Sequence, residues 1–150
     1  MDFKDKKVLI MSLGTIGKGL KDALFFYDKG AKVTVTDLKS ELELDNSIQE
    51  LKNKNIKLHL GKHIEDDFIE NDIIVRSPAI PDDSKFLQIA KNHNKKIIMD
   101  ESYSVTLTNA KIIGITGTRG KTTTSTLIYA ILKYAGKDVY LSGNVRGTAT

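Results

Sequence analysis

The chain contains no cysteine and no tryptophan, only two prolines, and only three arginines among its 23 basic residues. Without cysteine there is neither a disulfide framework nor a thiolate metal site. No apolar run reaches membrane-spanning length, and the start, Met1-Asp2-Phe3-Lys4-Asp5-Lys6-Lys7, lacks the apolar core of a signal peptide. The expectation is therefore a cytoplasmic protein with no membrane insertion. A net charge of +4 and a pI near 9.1 invite a nucleic-acid reading. The scarcity of arginine argues against it. The lysines are scattered among Asp and Glu, and no basic stripe carries interleaved aromatics. Solvated surface lysine is the better account, with a mild attraction for anionic substrates.

What is present is ordinary in amount and informative in pattern. An apolar fraction of 40% and a charged fraction of 28% suit a globular chain. A length of 150 residues holds one good-sized domain, or one domain and part of another. The most telling stretch is Ile112-Ile113-Gly114-Ile115-Thr116-Gly117-Thr118-Arg119-Gly120-Lys121-Thr122-Thr123-Thr124. An apolar β-branched run leads into a glycine-punctuated turn, and Gly-Lys-Thr opens a long helical pattern. Such a construction holds polyphosphates, because glycines let backbone N–H groups close on phosphate oxygens and the helix start adds partial positive charge. Lys121 would supply a full charge to the phosphates and Thr122 a hydroxyl ligand for Mg²⁺. The spacing departs from G-x4-G-K-T, since position 115 is Ile.

Upstream, the chain alternates strand and helix signals. Lys7–Met11 is a short apolar run, Lys18–Tyr27 has helical spacing, and Gly30 sits where a C-cap glycine belongs. Ala31–Thr36 alternates as a strand and ends at Asp37, twenty positions after Gly17. Together with Ser12-Leu13-Gly14-Thr15-Ile16-Gly17 this comes close to the dinucleotide fingerprint G-x-G-x-x-G, with Ser12 in place of the first glycine. Gly14 would allow close approach of a diphosphate, and Gly17 close helix–strand packing. A polar connection over 38–45 leads to a short helix over Ser47–Asn53, capped by Asn46 or Ser47, with Ile48 and Leu51 inward. Strands are predicted over Ile56–Leu60, Asp72–Val75 and Lys96–Met99, with a helix on the Phe86, Leu87, Ile89, Ala90 stripe capped by Asp82-Asp83-Ser84. Both prolines fall in Arg76-Ser77-Pro78-Ala79-Ile80-Pro81, a loop after a strand, where open α/β sheets bind ligands. His59, His63 and His93 read as surface histidines, with no third ligand nearby for a metal.

Residues 102–109 read as a short helix or a linker. The pattern then restarts with a strand over Lys111–Thr116, the phosphate loop, a helix over Lys121–Tyr134 burying Leu127, Ile128, Ile131 and Leu132, a C-cap at Gly136 and a strand over Asp138–Leu141. One strand–helix–strand unit cannot cover both faces of a sheet. The fold expected is α/β: a Rossmann-like parallel-sheet domain over 1–105, followed by the start of a P-loop ATPase-type domain over 106–150, within a longer protein.

Taken in order, the degenerate Rossmann unit with Asp37, Ser77-Pro78-Ala79-Ile80, the Gly114–Thr124 loop and Gly143-Asn144 resemble the start of a Mur ligase, a family related to the folylpolyglutamate synthetases. That resemblance implies a first domain that binds a UDP-linked substrate. Gly14, Thr15, Ile16 and Gly17 would lie on its diphosphate, Asp37, Leu38 and Lys39 at the uridine, and Ser77, Pro78 and Ala79 over the nucleotide. It implies ATP and Mg²⁺ at Gly117, Thr118, Arg119, Gly120, Lys121, Thr122 and Thr123, with Thr122 at the metal. Lys121 and Asn144 would serve catalysis, and Asn144 would also face the substrate. Arg119 is expected to face solvent or a later domain. The asparagine after Gly143 points to the branch that adds D-glutamate to UDP-N-acetylmuramoyl-L-alanine through an acyl phosphate, in peptidoglycan synthesis. Ser12 and Ala79 stand where the family has glycine, and Val145-Arg146-Gly147 departs from its commoner pattern. The branch that adds L-alanine to UDP-N-acetylmuramate has a similar Ser-Ala-Ile stretch and stays open. So does a nucleotide-sensing Rossmann module in which Asp37 holds a ribose, although a sensor needs no Gly-Lys-Thr. A hydrolysis-driven motor would need the strict G-x4-G-K-T spacing.

Overall fold

Five short strands define the architecture of the computed structural model, which describes residues 3–14, 17–44, 48–99, 103 and 105–143. They are β1 (Lys7–Met11), β2 (Lys32–Asp37), β3 (Lys57–Leu60), β4 (Ile73–Arg76) and β5 (Lys96–Met99). All neighbours are parallel and the order is β3-β2-β1-β4-β5. Helices α1 (Lys18–Asp28), α2 (Glu65–Glu70) and α3 (Lys85–Asn92) connect them. The chain divides into two compact units, Met1–Ser104 and Val105–Thr150.

Parallel strands covered on both faces are apolar on both, and β1 obeys this. Val8 and Ile10 join a cluster with Leu20, Ala23 and Phe26 of α1 and with Leu44, Ile48 and Leu51. Leu9 and Met11 join Phe68 of α2 and Leu87 and Ala90 of α3 on the other face. Each such fully buried side chain contributes about 1.5–3 kcal/mol relative to exposure. Leu44 enters the core from a 3-10 turn over Leu42–Leu44, inside a connection whose sequence shows no period. Ile48 and Leu51 point inward as expected, whereas the cap residues Asn46 and Ser47 lie outside the described residues. Ser84 occupies the N-cap position of α3 without a side-chain capping bond. Tyr103 packs edge-on against Phe3, ring centroids 5.9 Å apart.

Placing β3 on one side of β1 and β4 on the other makes the β1–β4 boundary the point where the strand order reverses. The loops that leave the C-terminal ends of β1 and β4 flank this crevice, the place where open parallel sheets bind ligands. They contain Gly14 and Ser77-Pro78-Ala79.

Two expectations change. Close packing of helix on strand is not made at Gly17, around which an added Cβ would meet nothing within 4 Å. It is made at Gly19, where a Cβ would lie 2.3 Å from the Ser12 carbonyl oxygen and 2.8 Å from Leu13 backbone atoms. In the second unit, α4 (Lys121–Tyr134) forms, but Lys111–Thr116 and Asp138–Leu141 are not strands. A strand exists only through a ladder partner, and neither segment has one among the described residues. For the same reason the α4 stripe is not buried, with Leu127 and Ile131 exposed. The fold shown is thus the Rossmann-like sheet; the P-loop domain itself is not.

Replacing Gly19 by Ala is expected to destabilise the first unit by about 3 kcal/mol, because backbone atoms must shift. Gly17→Ala, at φ 80° in open space, should cost only about 1 kcal/mol. Urea denaturation compares them, and equal costs would contradict the close approach at Gly19.

Candidate functional site

The loop after β1 begins with a conformation that a serine rarely adopts. Ser12 has φ 80° and Gly14 φ 67°. Left-handed backbone at a non-glycine residue costs about 1 kcal/mol or more, and persists only where neighbours hold it. Two contacts from β2 do so. The Ser12 N–H donates to the Thr36 carbonyl at 2.8 Å. The Asp37 carboxylate collects the rest: its Oδ2 accepts from the N–H of Leu13 at 2.8 Å and of Gly14 at 3.2 Å, and from the Ser12 hydroxyl at 3.4 Å. Its Oδ1 accepts from the Lys39 N–H at 2.9 Å. Asp37 is only 5% exposed, and these four donors replace the water that a buried carboxylate loses.

Asp37 therefore binds its own chain, bracing the loops on either side of it. The Gly14 N–H is committed to Asp37, so what Gly14 offers a ligand is the lack of a side chain. Beyond Gly14, α1 starts at Gly17 with no side-chain cap on its first turn, a feature suited to an anion. Thr15 and Ile16 lie outside the described residues. Leu38, directly after Asp37 at the end of β2, is 66% exposed. Lys39 is half-buried, and Pro78 and Ala79 are exposed in the loop after β4.

The histidines correct the surface reading. His63 Nδ1 bonds the fully buried Thr36 hydroxyl at 2.8 Å, and its ring stands edge-on to Phe68 and Phe86. Burial pushes its pKa below the ordinary 6.5, against the opposing pull of Asp37 and Asp67. His59 Nδ1 bonds Asp67 Oδ2 at 2.5 Å. The reason lies in the pleat. Val33, Val35, Leu58 and Leu60 face the first cluster, so Thr34, Thr36 and His59 share the opposite face with α2. The alternation showed that His59 points away from the apolar side; it did not show that a polar layer covers that side. His93 is exposed as expected.

In the second unit, Gly117 and Gly120 carry φ 149° and 77°, and Gly120 is the N-cap of the 14-residue α4, without a side-chain cap. Lys121 Nζ folds back onto the Gly117 carbonyl at 2.6 Å, so its charge sits over the loop. Thr118, Arg119, Thr122 and Thr123 are exposed. Positive-φ glycines, a helix start and a cation over the turn fit a polyphosphate. Asn144 lies outside the described residues.

Residues 6–99 match the family model "Mur ligase MurD-like, N-terminal domain". The chain belongs to the Mur ligase family. It is 40% identical over 149 residues to the UDP-N-acetylmuramoylalanine–D-glutamate ligase of Roseiflexus sp. (strain RS-1), covering 99% of this chain and 32% of that protein. This Mur ligase chain spans about a third of the length of the curated relatives it matches. Among solved structures it resembles a pseudomurein peptide ligase type C from Methanothermus fervidus, with 29% identity, a TM-score of 0.55, and coverage of 91% of this chain and 29% of that one. UDP-N-acetylmuramate–alanine ligase from Thermotoga maritima shares the fold, at 24% identity, a TM-score of 0.54, and coverage of 93% and 32%. Within this Mur ligase framework the residues least visible from sequence are Ser12, Gly19, His63 and Arg76. Gly19 had a signal, since a glycine at the second position of a helix needs a packing reason.

If the Asp37 carboxylate braces the loop through both oxygens, an amide cannot replace it. Asn would set an NH₂ against a backbone N–H on one side. Asp37→Asn and Asp37→Ala should each lower unfolding free energy by about 2 kcal/mol. Denaturation of Asp37→Asn at wild-type concentrations of urea would show that the second oxygen is dispensable.

Proposed function

We propose that the chain serves an ATP-dependent amide-bond ligase of cytoplasmic peptidoglycan precursor synthesis, which joins D-glutamate to UDP-N-acetylmuramoyl-L-alanine. The observation that carries this reading is the loop from Gly117 to Lys121 on the start of α4, with Lys121 Nζ drawn over it, in a chain of the Mur ligase family. Similarity to relatives named for the D-glutamate reaction supports the choice of branch.

The division of labour follows from each unit's chemistry. In the first unit, Gly14, Thr15, Ile16 and Gly17 would accommodate the diphosphate at the start of α1. Leu38 and Lys39 would meet the uridine beside the Asp37 brace, and Ser77, Pro78 and Ala79 would close over it. In the second unit, Gly117 to Thr123 would hold ATP through backbone N–H groups, with Thr122 toward Mg²⁺ and Arg119 on the solvent side. ATP would supply the phosphoryl group that makes the alanine carboxylate reactive toward an amine. Lys121 would neutralise the charge gathered on the phosphates, a contact about twice as strong as a neutral hydrogen bond. Asn144 would face the substrate. Catalysis on such a plan is mostly positioning and electrostatics.

In the full-length enzyme, Lys121→Ala is expected to reduce acyl phosphate trapped by borohydride by about a hundredfold or more, with binding of the UDP-linked substrate retained. Arg119→Ala should stay within about threefold of wild type, as an exposed charge contributes little. Undiminished trapping with Lys121→Ala would overturn the phosphate-loop assignment.

A further inference from the structure

Arg76 ends a strand that is otherwise Ile73-Ile74-Val75. It is in register with Met11 of β1 on one side and Met99 of β5 on the other, so it stands at the C-terminal edge of the sheet beside the switch point. Its side chain is 11% exposed. A guanidinium so withdrawn from water is costly unless it is paired. Both of its partners belong to the loop that follows. Nη1 donates to the Ile80 carbonyl, and Nη2 donates to Asp82 Oδ1 at 2.7 Å.

The two contacts close a ring around the segment Ser77-Pro78-Ala79. Within that ring the loop is tightened by the Ile80 N–H on the Ser77 carbonyl at 3.1 Å and the Ala79 N–H on the Ser77 hydroxyl at 3.3 Å. Beyond it, the Asp82 carbonyl accepts from Gln88 Nε2 at 3.0 Å and from Lys91 Nζ at 3.1 Å, both on α3. One end of the loop is thus tied to β4, the other to α3, and Arg76 joins the two. Serving a carbonyl and a carboxylate together requires the planar, forked guanidinium; a lysine ammonium on its flexible stem lacks that fixed geometry. The pairing is lopsided, because Asp82 is 81% exposed. The arginine is an internal strut, and the aspartate is its outer stop.

We propose that Arg76, with Asp82, is a positioning residue that presets the Ser77–Ala79 wall of the crevice for a uridine nucleotide, a role that rests on the ligand reading above. Arg76 acts through the loop and does not touch the ligand. Loss of the strut therefore weakens nucleotides irrespective of how many phosphates they carry. A direct contact to phosphate would instead weaken the ligand with more phosphate.

The test uses the full-length protein, with UMP and UDP as probes in titration calorimetry and amide hydrogen exchange in the absence of ligand. Asp82→Asn changes an exposed side chain and leaves folding intact. It is expected to raise Kd for UMP and UDP alike by about threefold, the scale of a half-exposed ion pair. Arg76→Met should raise both by about tenfold, as a charge-assisted bond to each partner is lost. Arg76→Lys should fall between them, and adding Asp82→Asn to Arg76→Met should cause no further loss, since the pair acts as one. Exchange at the Ile80 amide should quicken in each variant while the Leu9 amide keeps its protection. Unchanged Kd values in Arg76→Met would overturn the positioning role. A loss much greater for UDP than for UMP would overturn it in favour of a direct phosphate contact. Wild-type protein that binds neither nucleotide would overturn the ligand reading, and the positioning role with it, even if the exchange result still showed the strut.

Discussion

One buried carboxylate carries more of this structure than its position at a strand end suggests. Asp37 receives the N–H groups of Leu13 and Gly14 on one oxygen and that of Lys39 on the other. The loop after β1 includes a serine at φ 80°, and a strained turn survives only where its surroundings over-determine it. The close passage of Ser12 and Leu13 over Gly19 depends on the same turn. A carboxylate with two separate acceptor atoms meets this demand, and an amide or hydroxyl does not.

The far side of the crevice is organised on the same plan with the opposite charge. Arg76 ends β4 as Asp37 ends β2, and each is spent on its own following or neighbouring loop. Strand ends in an open parallel sheet normally point functional side chains at a ligand. Here the charged ones fix backbone, and on the proposed reading recognition falls to peptide groups, the start of α1 and exposed side chains such as Leu38. On the proposed reading, a crevice held in this way would need little ordering when a nucleotide enters, and reduced ordering cost is itself a source of affinity. Behind it lies a polar layer, His63 on Thr36 and His59 on Asp67, capped by the rings of Phe68 and Phe86. It closes the second face of β2 where apolar side chains cover the first.

The order of strands and helices in the first unit was legible because period and punctuation agreed: apolar runs of four to six residues, amphipathic helices and loops at Gly and Pro. The parallel sheet and the position of the loops after β1 and β4 followed from that alternation. The roles of individual polar residues did not. Ser12 reads as a flaw in a fingerprint, and only the structure pairs it with a carboxylate 25 positions away. Fingerprint spacing puts the packing glycine at Gly17; the path of the Ser12 carbonyl puts it at Gly19 instead. His63 looked exposed because its aromatic neighbours come from two later helices. In the second unit the glycine turn and α4 were legible from local chemistry. The flanking apolar segments read as strands, but strand formation depends on partners that periodicity does not reveal.

The most direct measurement of the central claim is calorimetric titration of the full-length protein with UDP-N-acetylmuramoyl-L-alanine and, separately, with NAD. The Asp37 carboxylate is engaged by backbone N–H groups of its own chain and not by the ribose contact on which a nicotinamide-dinucleotide fingerprint relies, while on the proposed reading the loops it holds take a uridine diphosphate. Saturable binding of the UDP ligand, with NAD at least about a hundredfold weaker, is the predicted result, the gap expected when a required hydrogen-bonding group is withheld. Tight NAD binding with no response to the UDP ligand would contradict the account.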